Sequence, residues 1–250
     1  MPKVELLGVQ VDDIRLSILV DEIVEKIRRR EHFLISHVNV TGLNLAYQYP
    51  WLKDFYNTCD RVYCDGMGVM LGARLLGKHI SERFTLADWI WALAEQLAAN
   101  RQSLFLLGGK PGVAERAAQQ LRQQVPDLVI SGSMHGYFNK AKNHPENQAV
   151  IRALQTANPD LLLVGMGMPL QEEWLKENWS EVNARVAITC GALFEYIIGD
   201  LQRGPRWMTQ NYLEWLARMV ISPGRYAGRY LRDNPLFLYR VMKQKLGNKK

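Results

Sequence analysis

Over about residues 1–200 the chain alternates short apolar runs with longer amphipathic ones. The short runs predict strands at 4–7, 33–36, 61–64, 103–107, 128–131, 161–164 and 185–189. The longer runs predict helices at about 15–30, 41–57, 67–76, 85–100, 111–124, 147–157, 169–179 and 191–199. Runs such as LFLL at 104–107 and LLLV at 161–164 are apolar throughout, as in strands buried on both faces. Strand–helix alternation at this spacing predicts an α/β sandwich, a mostly parallel sheet flanked by helices. Pro111 and Pro169 stand where a first helical turn tolerates proline.

Beyond residue 200 the pattern changes. Met208, Tyr212, Trp215, Leu216 and Met219 recur at helical spacing and form one apolar stripe. Pro223-Gly224 is expected to break that helix. Arg225, Arg229 and Arg232 then share a face of a second, short helix. Asn234-Pro235 reads as a cap and first-turn proline opening a last helix at about 235–246. The predicted organisation is a catalytic domain over 1–200 and a helical appendage over 201–250.

Charge sharpens that division. The net +6 of the 250 residues is unevenly spread. Residues 201–250 hold eleven Lys or Arg against Glu214 and Asp233, a net of +9. The first 200 residues hold 20 Lys or Arg against 23 acids, a net of −3. The appendage therefore calls for an anionic partner. Three cysteines, Cys59, Cys64 and Cys190, without a C-x-x-C pair, argue against a disulfide framework or a zinc site and fit a reducing compartment. Charge interrupts the first apolar residues, so no signal peptide is expected. No apolar stretch reaches the roughly 18 residues of a spanning helix.

Ligands of open α/β sheets bind beyond the carboxyl ends of the strands. There the sequence repeats one arrangement: a strand, small residues, then a helix start. It occurs at Asp65-Gly66-Met67-Gly68, at Gly108-Gly109-Lys110-Pro111-Gly112, at Gly165-Met166-Gly167-Met168-Pro169 and at Gly191-Ala192. Small residues admit a ligand to the backbone, and helix starts offer unpaired N–H groups, so the set can cradle a pyrophosphate. Glycine is common in short strand-to-helix turns in any case. The dinucleotide fingerprint fails, because Leu170 stands where Gly or Ala is needed, and no Walker loop is present.

Asp65 ends an apolar strand and opens a glycine turn, which suits a general base whose pKa is raised by partial burial. The alternative is an Asp that caps the helix starting near Met67. His37 and Asn39 follow the strand 33–36 and should lie near Asp65. No D-x-D motif, metal-spaced His/Cys cluster or G-x-S-x-G elbow occurs, so neither a metal nor a serine nucleophile is indicated.

Taken together, several segments resemble the WecG/TagA/CpsF glycosyltransferases. They are HVN at 37–39, CDGMGV at 64–69, FLLGGKPGVAE at 105–115, GYF at 136–138, PDLLLVGMGMPLQEEWL at 159–175 and GALFEYIIGDLQRGPRWM at 191–208. The likeness runs from about residue 4 to about 232. It implies a Rossmann-like fold with a basic helical appendage, and an inverting, metal-independent enzyme without a cofactor. Such an enzyme moves a hexose or N-acetylhexosamine from UDP to a polyprenyl-diphosphate-linked sugar for cell-surface polysaccharide. It would sit in the cytoplasm at the inner membrane face, with an anionic membrane surface and no nucleic acid as partner; homo-oligomerisation stays open.

By the same resemblance Asp65 is the base, and Asn39 matches a T-x-N motif in which His37 replaces Thr. Gly108, Gly109, Tyr137, Gly165, Gly167, Pro169, Gln171 and Glu172 bind the UDP-sugar. Arg83, Asp88, Arg203, Arg206, Arg218, Arg225 and Arg229 serve the acceptor diphosphate and the membrane. Leu86 departs from an expected Gly, which reshapes the acceptor side. Gly224 and Gly228 thin the arginine run, leaving either a weaker grip on the diphosphate or Arg229 as a substitute. Two other readings compete: a nucleotide-dependent oxidoreductase or methyltransferase on a similar sheet, and a nucleic-acid-binding module using the basic tail.

Overall fold

The computed structural model describes residues 1–201 and 223–247. Its strands are β1 (Lys3–Leu6), β2 (Val9–Asp12), β3 (Phe33–Val38), β4 (Arg61–Cys64), β5 (Ser103–Gly108), β6 (Val129–Met134), β7 (Leu161–Gly165) and β8 (Val186–Thr189). Its helices before residue 100 are α1 (Leu16–Arg28), α2 (Val40–Gln48), α3 (Pro50–Thr58), α4 (Met67–Leu75) and α5 (Leu86–Ala99). After it come α6 (Val113–Gln124), α7 (Pro145–Ala157), α8 (Leu170–Asn178), α9 (Leu193–Ile197) and α10 (Pro223–Gly247).

Six strands form one sheet in the order β4-β3-β8-β7-β5-β6, and every pairing is parallel. Alternate side chains of each strand enter two cores. Leu104, Leu106, Leu161, Leu163 and Ile188 pack with α1, α5, α6 and α9. Phe105, Leu107, Leu162, Val164 and Ala187 pack on the other face, with α2, α3, α4, α7, α8 and α10. Continuous apolar strands are what two covered faces require. The expected α/β sandwich with a parallel sheet is therefore the fold.

Four local expectations need correction. The first strand belongs to an antiparallel hairpin, β1–β2, outside the main sheet. Leu7 at φ 53 and Gly8 at φ 85 make its turn, a left-handed pair without the Asn-Gly signature that would have shown it in the sequence. The predicted helix 41–57 is two helices, because Tyr49 before Pro50 is driven to extended backbone and Pro50 opens α3. Pro111 lies outside α6, because Gly112 at φ 84 holds the N-cap position and the helix starts only after it. Pro169 likewise stands at the N-cap position of α8, not inside the helix.

The appendage differs most. Pro223 opens α10, and α10 runs on through Pro235 for 25 residues, so the separate short helix and the last helix expected from 235 are one; the helix expected to end at Pro223 lies outside the described residues. Pro235 costs the carbonyl of Leu231 its partner, but both residues are exposed, so water can take that bond. Phe237 and Val241 bury α10 on the body, Phe237 against Gly72 and Leu6. A Cβ at Gly72 would fall 2.6 Å from Phe237 Cζ, so the seat needs glycine. The stripe at 208–219 and Arg203, Arg206 and Arg218 lie outside the described residues. Among the described residues, no helix is long and apolar enough to cross a membrane.

Candidate active site

Parallel pairing brings the carboxyl ends of all six strands to one edge, and among the described residues two adjoining clefts open there. The larger, about 570 Å³, lies over β5, β6, β7 and the start of α9. The smaller, about 230 Å³, lies over β3, β4 and β8. They adjoin, since Gly167, Gly191 and Ala192 line both.

The smaller cleft collects titratable side chains. In the β3–β4 register His37 stands opposite Tyr63, and the Asp65 amide donates to the Val38 carbonyl at 2.9 Å. Asp65 therefore emerges beside His37, with Oδ2 3.8 Å from Nε2 and a side chain about one-fifth exposed. Gly66, at φ 125, occupies the N-cap position of α4. Asp65 stands one residue before it and lines the cleft.

His37 is buried, and its Nδ1 lies 3.1 Å from the Thr189 carbonyl. The Thr189 hydroxyl also lies 3.2 Å from Nδ1, so Thr189 holds this side of the ring with two groups and Nε2 faces Asp65. Burial lowers the His37 pKa, partly opposed by the Asp65 charge and the Thr189 carbonyl. The ring is thus held neutral. Thr189 is fixed in turn by Ser36, hydroxyl to hydroxyl at 2.9 Å. Beneath lie Tyr63, stacked on Phe84 at 4.6 Å, and Trp89, edge-on to both. Asn39 caps α2, its Oδ1 accepting from the Gly42 amide at 3.0 Å.

The larger cleft is walled by backbone. Gly109, Gly136, Gly165 and Gly167 line it together with Tyr137, which is 64% exposed at its rim. Gly108 lies behind that wall: a Cβ there would sit 2.1 Å from the Gly165 carbonyl oxygen. The Gly109 amide donates to that carbonyl at 2.8 Å, and the Gly136 amide to the Gly109 carbonyl at 2.9 Å. Three strand ends are thus tied into one floor. Lys140, over the Phe138 ring, donates to the Gly136 and Phe138 carbonyls, and desolvation lowers its pKa. Glu195 Oε2 is buried with no hydrogen-bond partner among the described residues.

Other expected residues fall beside the clefts. Gln171 and Glu172 are fully buried and line neither. Gln171 Oε1 accepts from the Gly191 amide at 3.0 Å, while its Nε2 donates to Glu172 Oε1 at 2.8 Å. They hold the turn that both clefts share. Burial pushes the Glu172 carboxyl up to about 7, partly opposed by the Gln171 bond and its own backbone amide. Arg83 precedes and Asp88 follows Thr85, Leu86 and Ala87, which form a wall of the smaller cleft. Arg225 and Arg229 fall on the first turns of α10, their side chains outside the described residues.

Sequence reasoning missed Thr41, Tyr196, Lys140, Glu146 and Glu195, all of which line a cleft. Glu195 carried a usable signal, the first turn of a helix that follows a small-residue strand end. Thr41 and Tyr196 carried none, because only packing sets which face of their helices meets the cleft.

A six-stranded parallel sheet with two clefts meeting at its carboxyl edge, one walled by glycine backbone and one by a carboxylate and an imidazole, is an α/β fold with a two-part candidate site. The chain belongs to the Glycosyl transferase WecG/TagA/CpsF family, whose model matches residues 4–250. It is a glycosyltransferase, which decides against the oxidoreductase, methyltransferase and nucleic-acid readings. Among its relatives are proteins of Staphylococcus aureus strains MRSA252 and NCTC 8325, each named N-acetylglucosaminyldiphosphoundecaprenol N-acetyl-beta-D-mannosaminyltransferase. Each is 27% identical over 250 residues, covering 99% of this chain and 95% of the relative.

Proposed function

We propose that this enzyme transfers N-acetylmannosamine from UDP to an N-acetylglucosamine carried on undecaprenyl diphosphate, with inversion and without a divalent cation. The observation that carries the proposal is the meeting of the two clefts at Gly167, Gly191 and Ala192. The relatives' printed names supply the sugar and the lipid-linked acceptor.

The donor occupies the larger cleft, of a size usual for small-molecule sites. Tyr137 offers a face for the base, and Glu195 Oε2 an acceptor for a base N–H or sugar hydroxyl. Backbone N–H groups at the glycine turns and helix starts face the diphosphate. The acceptor hydroxyl enters the smaller cleft beside Asp65. Its proton passes to the Asp65 carboxylate as its oxygen bonds the anomeric carbon, and the carbon–oxygen bond to UDP breaks with both electrons leaving on UDP. Attack opposite the leaving group turns an α-linked donor into a β-linked product. His37 turns Nε2 toward the same space and can hydrogen-bond the incoming hydroxyl group or a bridging water.

The acceptor lies at a membrane, and α10 suits that surface. Leu231, Leu238, Tyr239, Met242 and Leu246 are exposed on it, with Arg232 and Lys243 exposed among them. Each cation near an anionic leaflet contributes on the order of 1 kcal/mol.

The test is transfer itself. UDP-N-acetylmannosamine, UDP-N-acetylglucosamine, NAD and S-adenosylmethionine are offered with a short-chain lipid-diphosphate acceptor, with and without EDTA. UDP release from the first donor alone, dependent on acceptor and insensitive to EDTA, is expected. Turnover with another donor overturns the sugar, and loss with EDTA overturns the metal-free mechanism.

A further inference from the structure

Asp233 of α10 is 4% exposed, a carboxylate taken from water. A buried carboxylate is costly unless its oxygens are met. Here they are: Thr41 Oγ1 donates to Oδ2 at 2.8 Å, and Arg232 Nε donates to Oδ1 at 3.1 Å. Thr41 stands in the first turn of α2, a nine-residue helix whose positive end favours a carboxylate. Thr41 also lines the smaller cleft. Asp233 thus grips the outer side of the wall whose inner side faces Asp65.

The grip extends down α10. Asn44 of α2 is buried, its Nδ2 donating to the Asp233 carbonyl at 2.8 Å. Arg240 Nη1 donates to the Asn44 carbonyl at 2.8 Å and to Asn44 Oδ1 at 3.1 Å, and its guanidinium lies 4.5 Å from the Tyr47 ring centroid. One asparagine therefore reads two positions of α10 that are seven residues apart. The apolar seats of Phe237 and Val241 favour burial but tolerate rotation or sliding of a helix. Directional bonds from a buried carboxylate and amide do not, and fixing register is the best-attested use of such groups.

We propose that Asp233 is a positioning residue: it locks α10 in rotation and register on α2, and so holds Thr41 and the wall of the smaller cleft in the place that receives the acceptor. This deepens, and rests on, the transferase reading given above. The lock acts on acceptor binding and leaves the donor cleft untouched, since Thr41 lines the smaller cleft and neither it nor any described residue of α10 lines the larger.

Three proteins decide it: wild type, Asp233→Ala and Asp233→Asn. Asp233→Ala is expected to raise KM for the lipid-diphosphate acceptor about tenfold or more, the loss of one buried charged hydrogen bond. UDP affinity by calorimetry should stay within about twofold, and amide exchange over 224–236 should quicken. Asp233→Asn keeps an oxygen for Thr41 and should restore the acceptor KM to within about threefold of wild type. Unchanged acceptor KM and exchange in Asp233→Ala would overturn the lock. So would a parallel fall of kcat, UDP affinity and thermal midpoint in both variants, which marks a merely structural role. If wild type itself transfers no sugar, the transferase reading fails, while the exchange comparison still decides the lock.

Discussion

The two clefts share an edge of one sheet but are made of different matter. Five glycines line the larger and two line the smaller. The larger is walled chiefly by main-chain groups fixed by strand ends, which suit a phosphate and need no rotamer to be ordered. The smaller is lined by the side chains of Asp65, His37, Thr41 and Tyr196, and of these His37 has its pKa lowered by burial. A fold can thus divide labour between holding a charged leaving group and moving a proton. The first job survives loss of side chains and fails on added Cβ atoms; the second does the reverse.

The sharpest break in that comparison is Asp65→Asn. Turnover should fall roughly 10²–10⁴-fold, the usual contribution of a positioned base, with UDP affinity unchanged in calorimetry. Retained turnover would remove Asp65 from proton transfer.

Next in size is the strut behind the shared turn. Glu172 titrates at about 7 in the fold against an ordinary 4.5, so the folded state binds more protons than the unfolded chain between those values. Stability from this group is therefore present below about 4.5 and is lost as pH rises to about 7, by about 3 kcal/mol in all. Glu172→Gln should gain that amount over wild type at pH 8 and match it near pH 4.5, as read from urea midpoints. An equal pH slope in both proteins would show that Glu172 is not the group responsible.

The smallest effect is expected at the junction. Gly167 has φ +78 and open space around an added Cβ. Gly167→Ala costs left-handed strain of about 1–2 kcal/mol and narrows both clefts at once, so donor affinity should drop roughly tenfold. A drop in acceptor affinity alone would mean that donor and acceptor have been assigned to the wrong clefts.

Much of this was legible in the sequence, and the failures have physical causes. β5, β7 and β8 declare themselves as buried apolar runs, and the glycine turns after them lie where parallel pairing puts them. Asp65, His37 and Asn39 came together because strand ends converge. Gln171 and Glu172 did not belong with them. A polar pair after a glycine turn reads as ligand-facing, and only packing shows that α8 turns both inward to hold Gly191. The tail was cut at Pro235 because proline is a strong local stop. Tertiary seating of Phe237 and Val241 outweighs that one missing bond, and a sequence pattern does not register it.

The Leu7 amide donates to Gln244 Oε1 at 2.9 Å across a separation of 237 residues, while Phe237 packs on Leu6. A ribosome delivers these partners far apart in time, roughly 10–50 s at ordinary elongation rates. Until α10 emerges, the β1–β2 hairpin and Gly72 expose an apolar seat with nothing in it. The growing chain can assemble its sheet and the larger cleft early, yet its closing contact is made late. Maturation is thereby timed to a stage of synthesis at which the last described helix is already made.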